Sequence, residues 1–325
     1  MIPADSASDQ SNATRELSLA ESPFLHLLER AQNEDGGWGF QPGRSSRVEP
    51  TCWALLALLQ LQARENVKER LSRGVQFLRA SQLSDGSWPA APAQETGCWV
   101  TSLACWALLA AKDSSGAAEK GLHWLCDDWP KDSSPWRRFI AHFFHKDIAR
   151  HNDSYRGWGW TPRTASWVEP TAFALIAMSQ CPPDMLPRSA SRRRHLAKFL
   201  LYDRMCPGGG WNCGNPRTYG VAGESLIIPT VWALLALRNQ QGRSEVEASL
   251  AWLEKNLLNI RSGASLALAR ICLETFGRSV PIHEQDVRTS FDKNEFLENV
   301  PVTAWASLAC NARPHWLAVE VPETA

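Results

Sequence analysis

The chain has 325 residues, with 34 Lys and Arg balanced by 34 Asp and Glu, and 44% hydrophobic residues. A neutral sum argues against nucleic acid as a partner, because general binding to its phosphate backbone needs a basic footprint. No uninterrupted apolar run reaches the roughly 20 residues that cross a bilayer, which excludes an integral helical membrane protein. The opening Met1-Ile2-Pro3-Ala4-Asp5-Ser6 has no basic region leading into an apolar one, so no secretory leader is expected. Nine cysteines, with no Cys-x-x-Cys and several inside apolar runs, read as reduced thiols, and the expected compartment is the cytoplasm. Tryptophan, at 16, outnumbers Phe at 11 and Tyr at 3, a reversal that asks for its own explanation.

In chain order, residues 1–20 read as a flexible tail. Beyond them one phrase recurs. Thr51-Cys52-Trp53-Ala54-Leu55-Leu56-Ala57-Leu58 returns as Thr171-Ala172-Phe173-Ala174-Leu175-Ile176-Ala177-Met178, as Thr230-Val231-Trp232-Ala233-Leu234-Leu235-Ala236-Leu237 and as Thr303-Ala304-Trp305-Ala306-Ser307-Leu308-Ala309. Thr101-Ser102-Leu103-Ala104 opens a further copy, and Ser265-Leu266-Ala267-Leu268-Ala269 is a degenerate one. These segments are apolar nearly all round, so they are helices buried on every side. Pro50, Pro170 and Pro229 stand directly before the Thr, where a missing N–H costs nothing in the first helical turn. Between them lie amphipathic, charged segments, 71–80, 119–126, 192–201, 246–256 and 287–299, that fit an outer layer with one wet face. A lone helical hairpin cannot bury both faces of its inner helix, and about six stacked copies close on themselves. The predicted architecture is all-α: a single (α/α)6 toroid over 21–315, with extra chain around 129–167 and 208–228.

The turns carry a resemblance. Arg73-Gly74-x-x-Phe77-Leu78-x-x-x-Gln82-x-x-x-Gly86-Ser87-Trp88 resembles the QW repeat of squalene and oxidosqualene cyclases, and Gln32-x-x-x-Gly36-Gly37-Trp38 is a second copy. Gly157-Trp158-Gly159-Trp160 and Gly208-Gly209-Gly210-Trp211 are partial copies without the Gln, and Lys120-Gly121-x-x-Trp124-Leu125 keeps the first half. The resemblance spans residues 21–312. It implies the α/α toroid shared by terpenoid cyclases and by the β subunits of protein prenyltransferases, with a polyisoprenoid chain held in a hydrophobic central cavity. The motif itself is a clamp: Gln82 can bond backbone groups left open at a neighbouring helix end, while Trp88 covers that junction with an apolar ring whose N–H still finds a partner.

The chemistry implied by the resemblance is harder to place. The Asp-x-Asp-Asp acid of the cyclases has no counterpart, and Pro130 interrupts Asp127-Asp128-Trp129-Pro130-Lys131-Asp132. Thr96-Gly97-Cys98-Trp99 resembles the prenyltransferase string that carries two zinc ligands, but Thr96 stands where its Asp should be, so neither a metal nor another cofactor is expected. The candidate catalytic residues are Glu49 and Glu169, in a duplicated Val-Glu-Pro-Thr at two inner-helix starts on one rim. Either they stabilise the helix N-termini, or one of them, desolvated against Trp99 or Trp167, serves as acid or base. Phe40, Trp99, Trp160, Trp167 and Tyr219, in the turns before inner helices, are the candidate lining of the binding site. Trp53, Phe173, Trp232 and Trp305 form an aromatic tier facing either the cavity or the outer helices. The stretch 136–146, rich in Phe and basic residues, reads as a packing helix, a peripheral membrane contact, or, through His142 and His145 with Asp147 and His151 nearby, a metal site. Arg192-Arg193-Arg194 reads as a solvated face. The leading expectation is a protein that binds a hydrophobic isoprenoid, possible as a small cyclase; the alternatives are a non-catalytic lipid- or protein-binding scaffold and a prenyltransferase-like transferase.

Overall fold

The computed structural model describes residues 22–61, 65–130, 152 and 154–310. The expected tail over 1–20, the residues after 310 and the segment 136–146 lie outside that set. Twelve α-helices follow one another among the described residues: α1 (Pro23–Arg30), α2 (Val48–Leu58), α3 (Glu65–Ala80), α4 (Val100–Ala110), α5 (Ala117–Asp127), α6 (Val168–Ser179), α7 (Ala190–Asp203), α8 (Ile227–Ala236), α9 (Ser244–Asn256), α10 (Gly263–Thr275), α11 (Glu284–Asp292) and α12 (Val300–Cys310). The even-numbered helices are the apolar repeats. In α2 every residue except Glu49 is buried, and in α6 every residue except Glu169 and the last, Ser179. Each even-numbered helix touches the next, and α12 returns to α2, which closes a ring of six. The odd-numbered helices form the outer layer. Helix α1 packs on α12, α3 on α2, α5 on α4, α7 on α6 and α9 on α8, while α11 lies against both α10 and α12.

A repeated clamp joins the layers. The indole N–H of Trp38 donates to the carbonyl of Leu28 (2.7 Å), near the end of α1, and the backbone N–H of Trp38 donates to Thr51 Oγ1 (2.9 Å) in α2. Trp88 repeats both bonds with Leu78 (2.7 Å) and Thr101 (3.0 Å), Trp158 with Leu125 (2.8 Å) and Thr171 (3.0 Å), and Trp211 with Leu201 (2.6 Å) and Thr230 (2.8 Å). A helix C-terminus leaves carbonyls without intrahelical partners, and the indole satisfies one of them while its ring excludes water. The conserved spacing in this chain, Trp thirteen residues before Thr in three of the four clamps, follows from that geometry. Gln32 and Gln82 extend the clamp sideways: Nε2 of Gln32 donates to Gly36 and Arg70 carbonyls (both 2.9 Å), and Nε2 of Gln82 to Gly86 (2.8 Å) and Ala117 (2.9 Å). Gly36 is required there. Its φ is +85°, and a Cβ would stand 2.5 Å from the Arg73 carbonyl oxygen of the next outer helix.

The turn before α6 lacks the Gln, and an arginine takes its place. Arg193 Nη2 donates to the carbonyls of Asp128 (2.9 Å) and Gly157 (3.2 Å), and its guanidinium lies between the rings of Trp129 (4.3 Å) and Trp158 (4.1 Å). The expectation of a solvated arginine face is therefore wrong at this position: Arg193 is fully buried. A guanidinium spreads its charge over a flat surface that stacks on aromatic faces, so it tolerates burial here. Burial nevertheless pushes its pKa down to about 10, opposed by the carboxylate of Asp128.

The seam between α12 and α2 is built differently. No Gly-Trp turn precedes α12, and the predicted outer helix over 287–299 stops at Asp292. Residues 295–298 then form one left-handed turn with φ between +50° and +56°, held by Arg30, which pairs with Glu295 (3.2 Å) and Glu298 (2.6 Å). The Val300 N–H donates to the Phe40 carbonyl (2.9 Å) and Gln41 Nε2 to the Leu297 carbonyl (3.0 Å), so the last turn is tied to the first. Thr303 keeps the clamp threonine, yet its Oγ1 is buried with no hydrogen-bond partner among the described residues.

That difference gives a paired expectation. Thr51→Val leaves the buried Trp38 N–H unpaired and costs about 1–3 kcal/mol, whereas Thr303→Val removes a hydroxyl that satisfies nothing and changes stability by less than about 0.5 kcal/mol. Urea unfolding of the two variants checks it; equal losses contradict the clamp.

Candidate functional site

All connections from an outer to an inner helix lie at one end of the ring, where the inner helices begin. The axis is not an open bore at every level. Trp53 of α2 stacks on Trp232 of α8, the helix opposite it in the ring, with centroids 5.3 Å apart. Trp53 also meets Trp106 (5.7 Å), Phe173 (6.1 Å) and Trp305 (5.5 Å) edge-on. Of the two orientations open to the aromatic tier, the inward one is observed, and its rings fill the axis. Trp106 completes this plug from α4, although it follows its clamp threonine by five residues where the others follow by two. That offset hid it from the repeat pattern.

One helical turn nearer the ring end stands a second tier. Glu49, Trp99, Glu169 and Ile228 each precede a clamp threonine by two residues. Glu49 and Trp53 are four apart, as are Glu169 and Phe173, so each carboxyl group shares a helix face with a ring of the plug. Trp99 is the residue before α4, the inner helix between α2 and α6. It stacks on Phe173 (5.5 Å, 28° between planes) and meets Trp160 edge-on (5.1 Å), while its backbone N–H donates to the Trp160 carbonyl (3.3 Å). The mouth of the ring thus sets two carboxyl groups on either side of an indole.

Electrostatics sets the two carboxyl groups apart from the rest of the surface. Burial, reinforced by the like charge of Glu169, pushes the Glu49 carboxyl up to about 7. Burial also raises Glu169. Two half-buried carboxyl groups, the first raised in part by the charge of the second, favour a state in which one of them is protonated. Cys213, whose carbonyl accepts from the Val168 N–H (3.1 Å), stands near Glu169; burial and then that carboxylate push its thiol up. The sequence offered no sign of Cys213, because its place follows from the insertion before α8 and from no repeat.

The other expected lining residues do not all join this tier. Phe40 is 41% exposed beside the α12 seam, and Trp167, the residue before α6, is 38% exposed. Tyr219 sits at the tip of a hairpin formed by β1 (Arg217–Thr218) and β2 (Val221–Ala222) and is 75% exposed, so it faces solvent. A groove of ≈ 720 Å³ lies between the segments 33–48 and 77–92, lined in part by Arg44, Arg47, Phe77 and Pro89; none of Glu49, Trp99 and Glu169 lines it. Among the described residues no cluster of three or more His, Cys, Asp or Glu side chains has metal-binding geometry, and no helix is long and apolar enough to cross a membrane. The candidate metal and membrane segment at 136–146 lies outside those residues.

Residues 14–99 match the family model of the squalene-hopene cyclase C-terminal domain. No curated protein matches the chain. Among solved structures it is similar to a variant of the type II terpene cyclase MstE from Scytonema in complex with its product merosterolic acid A, at 14% identity and a TM-score of 0.58, covering 93% of this chain and 98% of that one. A protein from Actinoplanes is similar at 15% identity and a TM-score of 0.58, over 94% and 100% of the two chains. An inactive variant of an α-1,6-mannanase from Salegentibacter in complex with α-1,6-mannotriose reaches a TM-score of 0.56 at 8% identity, over 88% and 98%. At such identities the likeness is one of fold, and one fold here serves both terpenoid and glycan chemistry.

The carboxyl tier has a signature in stability. Because the folded state raises the Glu49 pKa, it holds that proton more tightly than the unfolded chain, so stability is lost as pH rises from about 4.5 through about 7. Glu49→Gln does not lose it. We expect the variant to match the wild type near pH 4 and to exceed it at pH 8 by on the order of 1 kcal/mol, the value being reduced by solvent screening at the mouth. Thermal melts across this range check the sign; a variant that is less stable at pH 8 contradicts the assignment.

Proposed function

We propose that this chain, similar in part of its sequence to the squalene-hopene cyclase C-terminal domain and in fold to a type II terpene cyclase, binds the apolar chain of an isoprenoid at the ring mouth, with Glu49 as the acid and Glu169 as its charged partner. The observation that supports the reading is the tier of Glu49, Trp99 and Glu169 above a floor of aromatic rings. Trp99, Trp160 and Phe173 offer flat faces for an unsaturated hydrocarbon and for positive charge developing on it. A carboxyl group near 7 is largely protonated in mildly acidic to neutral solution, so Glu49 can donate a proton or a hydrogen bond, and Glu169 can hold or return the proton. An acid of that strength suits an oxygen function better than an isolated alkene. The ligand proposed is therefore an isoprenoid with a polar end beside Glu49 and its tail across the indoles.

A non-catalytic binder is the second reading, favoured by the plug at Trp53 and Trp232, which closes the axis against a chain threading through it. A zinc-dependent transferase has less support: Thr96 stands where the resembled string has its Asp, and among the described residues Cys98 belongs to no cluster of three or more His, Cys, Asp or Glu side chains. All nine cysteines are free thiols, which supports a reducing compartment and hence a cytoplasmic location.

The test is titration of the protein with farnesol, geranylgeraniol and squalene, read by tryptophan emission, followed by product analysis by mass spectrometry. The expected outcome is saturable quenching, a product from at least one alcohol, and Glu49→Gln reducing turnover by about 100-fold while changing the dissociation constant by no more than about threefold. Quenching with no product selects the non-catalytic binder. Absence of any quenching contradicts isoprenoid binding altogether.

A further inference from the structure

The groove between the segments 33–48 and 77–92 is separate from the carboxyl tier, and its volume of ≈ 720 Å³ falls among small-molecule pockets, which hold about 300–1,000 Å³. Its two walls differ in character. One is apolar, built by Phe77 of α3, by Leu83 just beyond that helix, and by Pro89, Ala90, Ala91 and Pro92 in the turn before α4. The other belongs to the turn before α2 and carries Arg44, Ser45 and Arg47.

The clamp does not account for these two arginines. Counted from the clamp tryptophans, the matching positions in the two other turns of the same length hold Gln94 and Gly97, and Thr164 and Trp167. The backbone of both arginines is fixed: the Arg44 carbonyl accepts from Asn33 Nδ2 (2.8 Å), and the Arg47 carbonyl from Thr51 Oγ1 (2.7 Å). Their guanidinium groups, in contrast, make no hydrogen bond or ion pair among the described residues. The two acids of the groove leave them unanswered. Asp35 accepts from the Gly37 N–H (3.0 Å) and the Ser46 hydroxyl (2.7 Å), a turn that Asp85 repeats with Ser87, while Glu34 is exposed. Val48, the first residue of α2, also lines the groove, so the positive end of that helix adds to the field of the arginines.

We propose that this groove is a second ligand site, which takes a carboxylate carried on an apolar or aromatic body. A guanidinium holds a carboxylate through two parallel N–H···O bonds, and two guanidinium groups on a fixed turn hold that head while the body lies along Phe77, Pro89 and Pro92. A neutral alcohol gains nothing from the arginines, and a small hydrated anion gains nothing from the apolar wall. The pairing of the two walls therefore selects the amphipathic acid. The site is independent of the function proposed for the mouth, and its ligand need not be an isoprenoid.

The experiment is a fluorescence titration with anilinonaphthalene sulfonate, whose sulfonate stands in for the carboxylate. Phenylnaphthylamine, the same ring system without the sulfonate, is the neutral comparison. We expect saturable binding of the sulfonate, displaced by naphthoate and not by farnesol. The double variant Arg44→Gln and Arg47→Gln should bind the sulfonate about tenfold more weakly, with unchanged affinity for the neutral amine and an unchanged melting temperature. Ser45→Glu, which sets a negative charge between the arginines at an exposed position, should weaken the sulfonate similarly. No sulfonate binding, equal affinity in the wild type and the double variant, or failure of naphthoate to compete overturns the inference. Displacement by farnesol puts the sulfonate in the mouth and overturns it as well. Farnesol quenching retained by the double variant leaves the mouth reading standing whatever the sulfonate shows.

Discussion

The toroid depends on a hydrogen bond that an indole can make and a phenyl ring cannot. At four of the junctions between layers, a tryptophan N–H reaches a carbonyl near the end of an outer helix while its backbone N–H is taken by the threonine of an inner helix. One residue thus satisfies polar groups in both layers and fills the gap between them with an apolar ring. Substituting Phe would keep most of the packing and strand a buried carbonyl, which is why Trp and not Phe stands at these four positions. Where the side chain that bridges to the next repeat changes, from Gln82 to Arg193, the indole and the threonine remain.

Rigid clamping of the inner helices has a consequence for function. With six helices fixed around a narrow axis, side chains at equal heights meet in the middle, and their identity decides what the ring holds. Where the tier is Trp53, Trp106, Phe173, Trp232 and Trp305, the axis is filled. One turn away Glu49 and Glu169 replace rings with carboxyl groups, and the same crowding that stabilises aromatic contacts raises the pKa of an acid. A carboxyl group whose pKa is raised by burial costs stability at neutral pH, and the clamps offset that cost elsewhere in the ring.

Much of this was legible in the residues. The all-α toroid follows from apolar copies without a polar face, and the inner-helix starts follow from Pro before Thr. Glu49 and Glu169 were visible because a duplicated Val-Glu-Pro-Thr fixes them at the same height. Other features depend on packing that spacing does not encode. Arg193 looks like one of three surface arginines until Trp129 and Trp158 close on it. Trp106 joins the plug from a different register, and Cys213 reaches Glu169 through an irregular insertion. Tyr219 looked like cavity lining because it precedes an inner helix, but the hairpin carries it out to solvent. The predicted helix at 287–299 was lost because its second half makes a left-handed turn, stabilised by Arg30 from far along the chain.

Hydrogen exchange at resolved indole N–H groups tests the central claim most directly. If the four clamp tryptophans hold the two layers together, the indole protons of Trp38, Trp88, Trp158 and Trp211 exchange only through global unfolding, with one shared free energy equal to that from denaturant. Exchange of these four at the rate of a solvent-exposed indole, in a protein that remains folded, would contradict the account.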